Sequence, residues 1–226
     1  MRIAAAVAVL ALAAMAMQAQ NSVKFNPEPL TGNRSLGISV GLVTKQLNMN
    51  GIKMPLMYLD RLLGNTSKKQ SASLQVGLTW SPEFKYGVGI QTGVYYELSY
   101  ENASSGPGFS TTLSDHTLSI PLRVQWRYEI VPDWSVFVYT GPSFDVGLAG
   151  NTKNYVDAIK EPVTNTAMYG SAYKRFNMLW GIGAGVRWKF LQLRVGGDWG
   201  MLNISTYDDE VTHINKPFHV TLSYMF

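Results

Sequence analysis

The chain has 226 residues, with 19 Lys and Arg against 15 Asp and Glu and a formal net charge of +4. So small and dispersed an excess gives no basis for a nucleic-acid partner, and the absence of Cys excludes disulfides and thiol chemistry. Aromatic residues make up 12% of the chain beside 21 Gly, which suits a barrel with ringed rims and a crowded interior.

Met1-Arg2 precedes an uncharged apolar run from Ile3 to Met17, with small residues at Ala14-Met15-Ala16 and at Ala19. The run is too short to cross a bilayer and reads as a secretory signal peptide over residues 1–19, cleaved after Ala16 or Ala19. No Cys follows the cleavage site, so no lipoprotein anchor is expected there. Residues 20–226 are expected to form one domain. No later stretch approaches the ~18 apolar residues of a transmembrane helix. Membrane strands need only about 9–11 residues, half of them apolar, so a mean hydropathy near zero hides them.

Eight segments then alternate apolar and polar residues, the signature of strands with two unlike faces. Segment one, 34–43, sets Leu36, Ile38, Val40 and Leu42 against Ser35, Gly37, Ser39 and Gly41. Segment two, 71–80, sets Leu74, Val76, Leu78 and Trp80 against Ser73, Gln75, Gly77 and Thr79. Segment three, 86–100, carries Val88, Ile90, Val94 and Tyr96 opposite Gly89, Gln91, Gly93 and Glu97. Segment four, 116–129, carries Leu118, Ile120, Leu122, Val124 and Trp126 opposite Pro121, Arg123 and Arg127. In segment five, 134–148, Trp134, Val136, Val138, Phe144 and Val146 share the apolar face, which turns Phe137 and Tyr139 inward. Either those rings fill the interior or a bulge near Gly141-Pro142 shifts the parity. Segments six (175–189) and seven (192–202) alternate cleanly. The eighth ends the chain, with Phe218, Val220, Leu222, Tyr224 and Phe226 on one face.

The connections alternate in length. Long ones fall at 44–70, 101–115, 149–174 and 203–216; short ones are Ser81-Pro82-Glu83-Phe84-Lys85, Ile130-Val131-Pro132-Asp133 and a turn near Phe190-Leu191. Outer-membrane barrels have short periplasmic turns and long extracellular loops. Aromatics sort to segment ends, with Trp80, Trp126, Trp134, Trp188, Tyr224 and Phe226 at one rim and Tyr96, Tyr100, Phe144, Phe176 and Phe218 at the other. These patterns predict an all-β, eight-stranded antiparallel up-and-down transmembrane β-barrel with short periplasmic turns and long extracellular loops. It is expected in the bacterial outer membrane with both termini periplasmic, in contact with lipid and lipopolysaccharide. Ala19-Gln20, the eight strands and Tyr224-Met225-Phe226 resemble the small outer-membrane β-barrel family common in Bacteroidetes, which includes PorT-like proteins. The resemblance implies insertion by the barrel-assembly machinery, which reads the terminal aromatic strand (Phe218, Val220, Leu222, Tyr224, Phe226). It implies no shared enzymatic activity, and PorT-like members are associated with secretion.

Candidate chemistry is sparse. The inward face carries Arg123, Arg127, Arg187, Lys189 and Arg194 toward the periplasmic half and Glu97, Asp145 and Asp198 higher up. An eight-stranded interior is just wide enough for side chains to fill it, so this charge network is expected to be a packed plug rather than an ion conduit. Ser114-Asp115-His116, with His213 in the last loop, offers the residue types of a lipid A acylase or deacylase. Adjacent residues on a strand face opposite ways, so Asp115 and His116 are not expected to pair. His219 reads as a bonded interior group. Residues 54–64, with Pro55 and Gly64 as end signals, read as a short apolar helix. Asp208-Asp209-Glu210 reads as a solvated cluster without calcium-loop spacing, and the sequons at Asn102 and Asn203 are too short to be specific. No cofactor or metal is expected. The functional reading is a non-enzymatic structural, surface-interaction or envelope-complex accessory protein, with an envelope partner engaged through the loops. The alternatives are a lipid A-modifying enzyme and a narrow ion or small-solute channel.

Overall fold

The computed structural model of the protein describes residues 35–50, 70–106, 109–156, 162–170, 173–206 and 211–226. The segment read as a signal peptide, the helix read at 54–64 and the Asp208-Asp209-Glu210 cluster lie outside them. The described residues form nine strands: β1 (Leu36–Asn50), β2 (Gln70–Trp80), β3 (Val88–Gly106), β4 (Phe109–Val131), β5 (Trp134–Val156), β6 (Pro162–Ala167), β7 (Phe176–Trp188), β8 (Leu191–Gly200) and β9 (Val211–Met225). Eight of them close a ring, each antiparallel to the next, with β9 returning to β1. Strand β6 stands outside the ring, pairing with β5. The fold is therefore the expected all-β antiparallel barrel.

Its polarity is inverted relative to a water-soluble barrel. Leu42 is 61% exposed on the outer surface, whereas Arg127 and Glu97 inside are 1% and 0% exposed. Outward apolar rows run along every strand of the ring, including Ile38, Leu78, Val124, Val138, Ile182, Leu193 and Leu222. That surface is stable only in hydrocarbon, where a closed ring leaves no backbone edge unbonded. Aromatic rings band both ends. At the end with the short turns, Trp134 stacks on Trp188 at 5.7 Å and Phe190 meets Tyr224 at 5.0 Å. At the end with the long loops, Phe144 stacks on Phe176 at 6.3 Å.

Strand five keeps one parity through Gly147, so Phe137 and Tyr139 point inward and no shift occurs at Gly141-Pro142. The irregularity falls higher, where His116 pairs with Ala149 and Thr117 with Gly147, leaving Leu148 over. Glycines make room for the interior rings. A Cβ on Gly196 would lie 2.6 Å from the Tyr139 hydroxyl, and one on Gly93 would lie 2.8 Å from the Tyr95 ring.

Three expectations need correcting. The connections read as long loops at 101–115 and 149–174 are largely strand, and the described start of the one at 44–70 is strand too: β1 runs on to Asn50, β3 and β4 face each other up to residues 107–108, and β5 and β6 fill much of the third. Backbone ladders continue above the apolar band because they need no apolar face, and Thr-rich stretches such as Thr111-Thr112 suit them. Second, Tyr86 and Gly87 belong to a 3-10 turn (Lys85–Gly87) rather than to strand three, with Tyr86 at φ 62°. Third, the β7–β8 turn centres on Lys189-Phe190, with Lys189 at φ 51°.

The glycine packing makes a testable demand. Gly196→Val should destabilise the folded barrel by about 1–3 kcal/mol, because the new methyls meet Tyr139 and the Ile182 carbonyl. The folded band on an unboiled detergent gel should then disappear at a lower temperature than for the unaltered protein.

Candidate functional site

Among the described residues, ionisable side chains converge in the interior, where they stack in tiers along the barrel axis. At the turn end, the β2–β3 connection folds beneath the barrel. Its Glu83 pairs with Arg127 from β4 at 2.8 Å, both side chains fully buried. Arg127 also donates to Gln192 at 3.1 Å and lies over the Phe137 ring at 5.1 Å. Beside it, the Ser81 hydroxyl donates to Gln125 at 3.1 Å. Midway up, Arg123 donates to both oxygens of Asp198, at 2.7 and 2.9 Å. His219 lies 3.6 Å from Asp198 through Nδ1, and its Nε2 is 2.9 Å from the Tyr139 hydroxyl. On the other wall, Arg194 donates to the Tyr95 hydroxyl at 2.9 Å, and that hydroxyl bonds Thr79 at 2.6 Å.

Towards the loop end the pairs interlock. Lys216 reaches Glu97 at 2.7 Å and Asp145 at 2.8 Å; Lys45 reaches Glu97 at 3.1 Å and Asp115 at 2.9 Å. Above them Tyr169 crosses from the β6–β7 connection and donates to Asp115 at 2.5 Å. Burial first, then the neighbouring Asp115 carboxylate, pushes the Tyr169 phenol well above its ordinary range, so it stays a donor. Buried cations from the described residues are Lys45, Arg123, Arg127, Arg187, Arg194 and Lys216; the carboxylates facing them are Glu83, Glu97, Asp115, Asp145 and Asp198. Six positive groups therefore share the lumen with five negative ones. Two cavities among these tiers are each about 20 Å³, room for a water-sized occupant.

The sequence-derived charge set maps onto this arrangement unevenly. Glu97, Arg123, Arg127, Asp145, Arg187, Arg194 and Asp198 are all interior. Lys189 is not: it sits in the β7–β8 turn, its side chain 47% exposed and 3.8 Å from Asp133. A left-handed turn residue leaves the strand alternation, so its inward parity does not survive. The charges that the alternation missed are Lys45, Glu83, Asp115 and Lys216. Lys45 only required segment one to continue past Val43. Lys216 could not be found by parity, because it and His219 both face inward across an irregularity at Pro217. Glu83 lies in a turn, where alternation is silent.

The Ser114-Asp115-His116 run is split by the pleat. Asp115 faces the lumen and bonds Lys45 and Tyr169, while His116 faces outward and bonds the Tyr96 hydroxyl. His213 bonds the Leu202 carbonyl at 3.0 Å. Among the described residues no cluster of His, Asp and Glu is arranged to hold a metal. On the terminal strand, Phe218, Leu222, Tyr224 and Phe226 project outward, Val220 is partly exposed in the same row, and the Phe226 amide donates to the Leu36 carbonyl at 2.8 Å. The sequon at Asn203 is occupied structurally: its side-chain oxygen accepts from the Ser205 and Thr212 amides at 3.0 and 2.9 Å.

An apolar outer surface around a packed ionic interior defines a small integral membrane β-barrel. Residues 18–205 match the family described as outer membrane protein beta-barrel domain, and the chain belongs to that family, which places it in the outer membrane. No curated protein is similar enough in sequence to match. Among solved structures, the chain is similar to Ail, the attachment invasion locus protein of Yersinia pestis, at 12% identity and a TM-score of 0.42, covering 85% of this chain and 99% of that one. Neisserial surface protein A is similar at 7% identity and a TM-score of 0.43, with 84% and 97% covered. LpxR from Salmonella typhimurium follows at 9% identity and a TM-score of 0.23, with 85% and 100% covered. Likeness this distant carries none of those proteins' activities to this chain.

The buried pairs have a measurable cost when broken. Arg127→Met should destabilise the barrel by about 3–5 kcal/mol, since Glu83 is left buried without its cation. Adding Glu83→Leu should recover most of that loss. Urea unfolding of the detergent-folded protein, followed by tryptophan fluorescence, measures both.

Proposed function

We propose that this protein is a non-enzymatic outer-membrane barrel that works through its loop end, as a surface-interaction protein or an accessory of an envelope complex. The observation that carries this reading is the series of buried contacts that crowds the lumen from Glu83–Arg127 at one end to Tyr169–Asp115 at the other. A lumen crowded with buried charged and aromatic side chains among the described residues speaks against a channel role. The outward split of His116 from Asp115 likewise speaks against a hydrolase at that rim. What remains available is the sheet that β3, β4, β5 and β6 raise beyond the aromatic band. In this reading the short turns and both termini are periplasmic, and the raised sheet is extracellular. Outer-membrane lipid and lipopolysaccharide surround the apolar face, and the barrel-assembly machinery recognises the outward row Phe218, Val220, Leu222, Tyr224 and Phe226. An accessory role in secretion, as in PorT-like proteins, is one form the loop-end function could take.

Two measurements test the proposal. The folded protein should add no conductance to a planar bilayer; sustained current steps would replace the plug with a channel. Because the chain has no Cys, single probes report orientation cleanly. A membrane-impermeant maleimide should label Lys153→Cys in intact cells and Asp133→Cys only after the outer membrane is opened. The reverse pattern would invert the assignment.

A further inference from the structure

The two ends of the barrel differ in the charge they present. At the turn end the exposed ionic residues among those described are Lys85, Glu129, Asp133 and Lys189, two of each sign, with Lys189 lying 3.8 Å from Asp133. At the loop end the described carboxylate side chains, Glu97, Asp115 and Asp145, are all buried inside the barrel. Lys174 and Arg175 are exposed there, and among the described residues neither has an ion-pair partner. Their depth follows from the next residue, Phe176, which belongs to the upper aromatic band and stacks on Phe144 at 6.3 Å. Such bands mark the level where hydrocarbon gives way to headgroups. Arg175 is also held in place. Its Nη1 donates to the Leu148 carbonyl at 3.0 Å and the Gly147 carbonyl at 3.4 Å, beside the irregularity in β5. Those bonds leave Nε and Nη2 as donors for a ligand. Higher on the same wall, the Tyr169 ring covers the inward side of Gly150, so alternation puts Lys153 on the outward face.

We propose that Lys174 and Arg175 bind a phosphate of the lipopolysaccharide headgroup, with Lys153 reaching phosphorylated sugars further out. Charge complementarity selects this occupant. A phosphate monoester carries about −1.5 to −2 charges near neutral pH, and guanidinium and ammonium groups supply the matching donors. A zwitterionic phospholipid offers no such excess of negative charge, and a neutral polysaccharide gives the two cations nothing to pair with. The position of Arg175 beside Phe176 sets the pair in the headgroup layer rather than in the water above it, which disfavours a soluble partner. The inference rests on the reading that the loop end is extracellular. Binding in detergent does not depend on orientation, whereas the maleimide pattern does, so the two ideas fail separately.

The test titrates the detergent-folded protein with lipopolysaccharide and follows the midpoint of thermal unfolding. Parallel titrations use the same lipopolysaccharide stripped of phosphate by hydrofluoric acid, phosphatidylglycerol, and inorganic phosphate. The expected result is a midpoint raised by several degrees with intact lipopolysaccharide and by far less with the other ligands. Lys174→Glu combined with Arg175→Gln should weaken the apparent affinity about tenfold or more, and Lys153→Glu should weaken it by a smaller factor. Equal stabilisation by the dephosphorylated form overturns phosphate recognition. An equal response to phosphatidylglycerol or to inorganic phosphate overturns the assignment to lipopolysaccharide. Undiminished affinity in the double variant overturns the site. Should that variant not fold, Lys174→Glu alone, at an exposed position, decides the matter by the same readout.

Discussion

Closure of the first strand onto the last governs everything else in this protein. Val40 sits opposite Leu222 and Leu42 opposite Val220, so the ladder between β1 and β9 has the same form as the seven others in the ring. In hydrocarbon an open edge would strand a row of amides and carbonyls with nothing to bond. Once the ring is closed, alternation along each strand assigns every side chain to lipid or to the lumen. The two surfaces must then satisfy opposite solvents, and the sequence divides accordingly.

The lumen is where this division becomes demanding. Eight strands enclose too little space for water to solvate six cations, so the protein packs them against carboxylates, hydroxyls and aromatic faces. Three large rings, Tyr95, Phe137 and Tyr139, fill the gaps left opposite glycines. Two segments outside the main alternation finish the job: the turn that inserts Glu83 from below and the connection that lays Tyr169 on Asp115 from above.

The membrane architecture was legible because lipid imposes a period-two rule on long stretches. Segment six is the clearest case, with Trp180, Ile182 and Trp188 against Gly181, Gly183 and Arg187, and the ring seats them accordingly. What escaped was whatever departs from that period. Lys216 faces inward only because the ladder slips at Pro217; Lys189 leaves the lumen because its backbone turns left-handed; Glu83 arrives from a turn. The raised hairpins escaped for a different reason. Above the apolar band both faces of a strand meet water, so the sequence there alternates weakly even though the hydrogen-bond ladder continues.

The most direct measurement of ring closure is an engineered cross-link between its two joining strands. The native chain supplies no competing thiol. Val40→Cys combined with Leu222→Cys should oxidise to an intramolecular disulfide in the folded protein, since the two residues are ladder partners. If Val40→Cys instead cross-links with Val220→Cys, or with neither position, the register that closes the barrel is wrong.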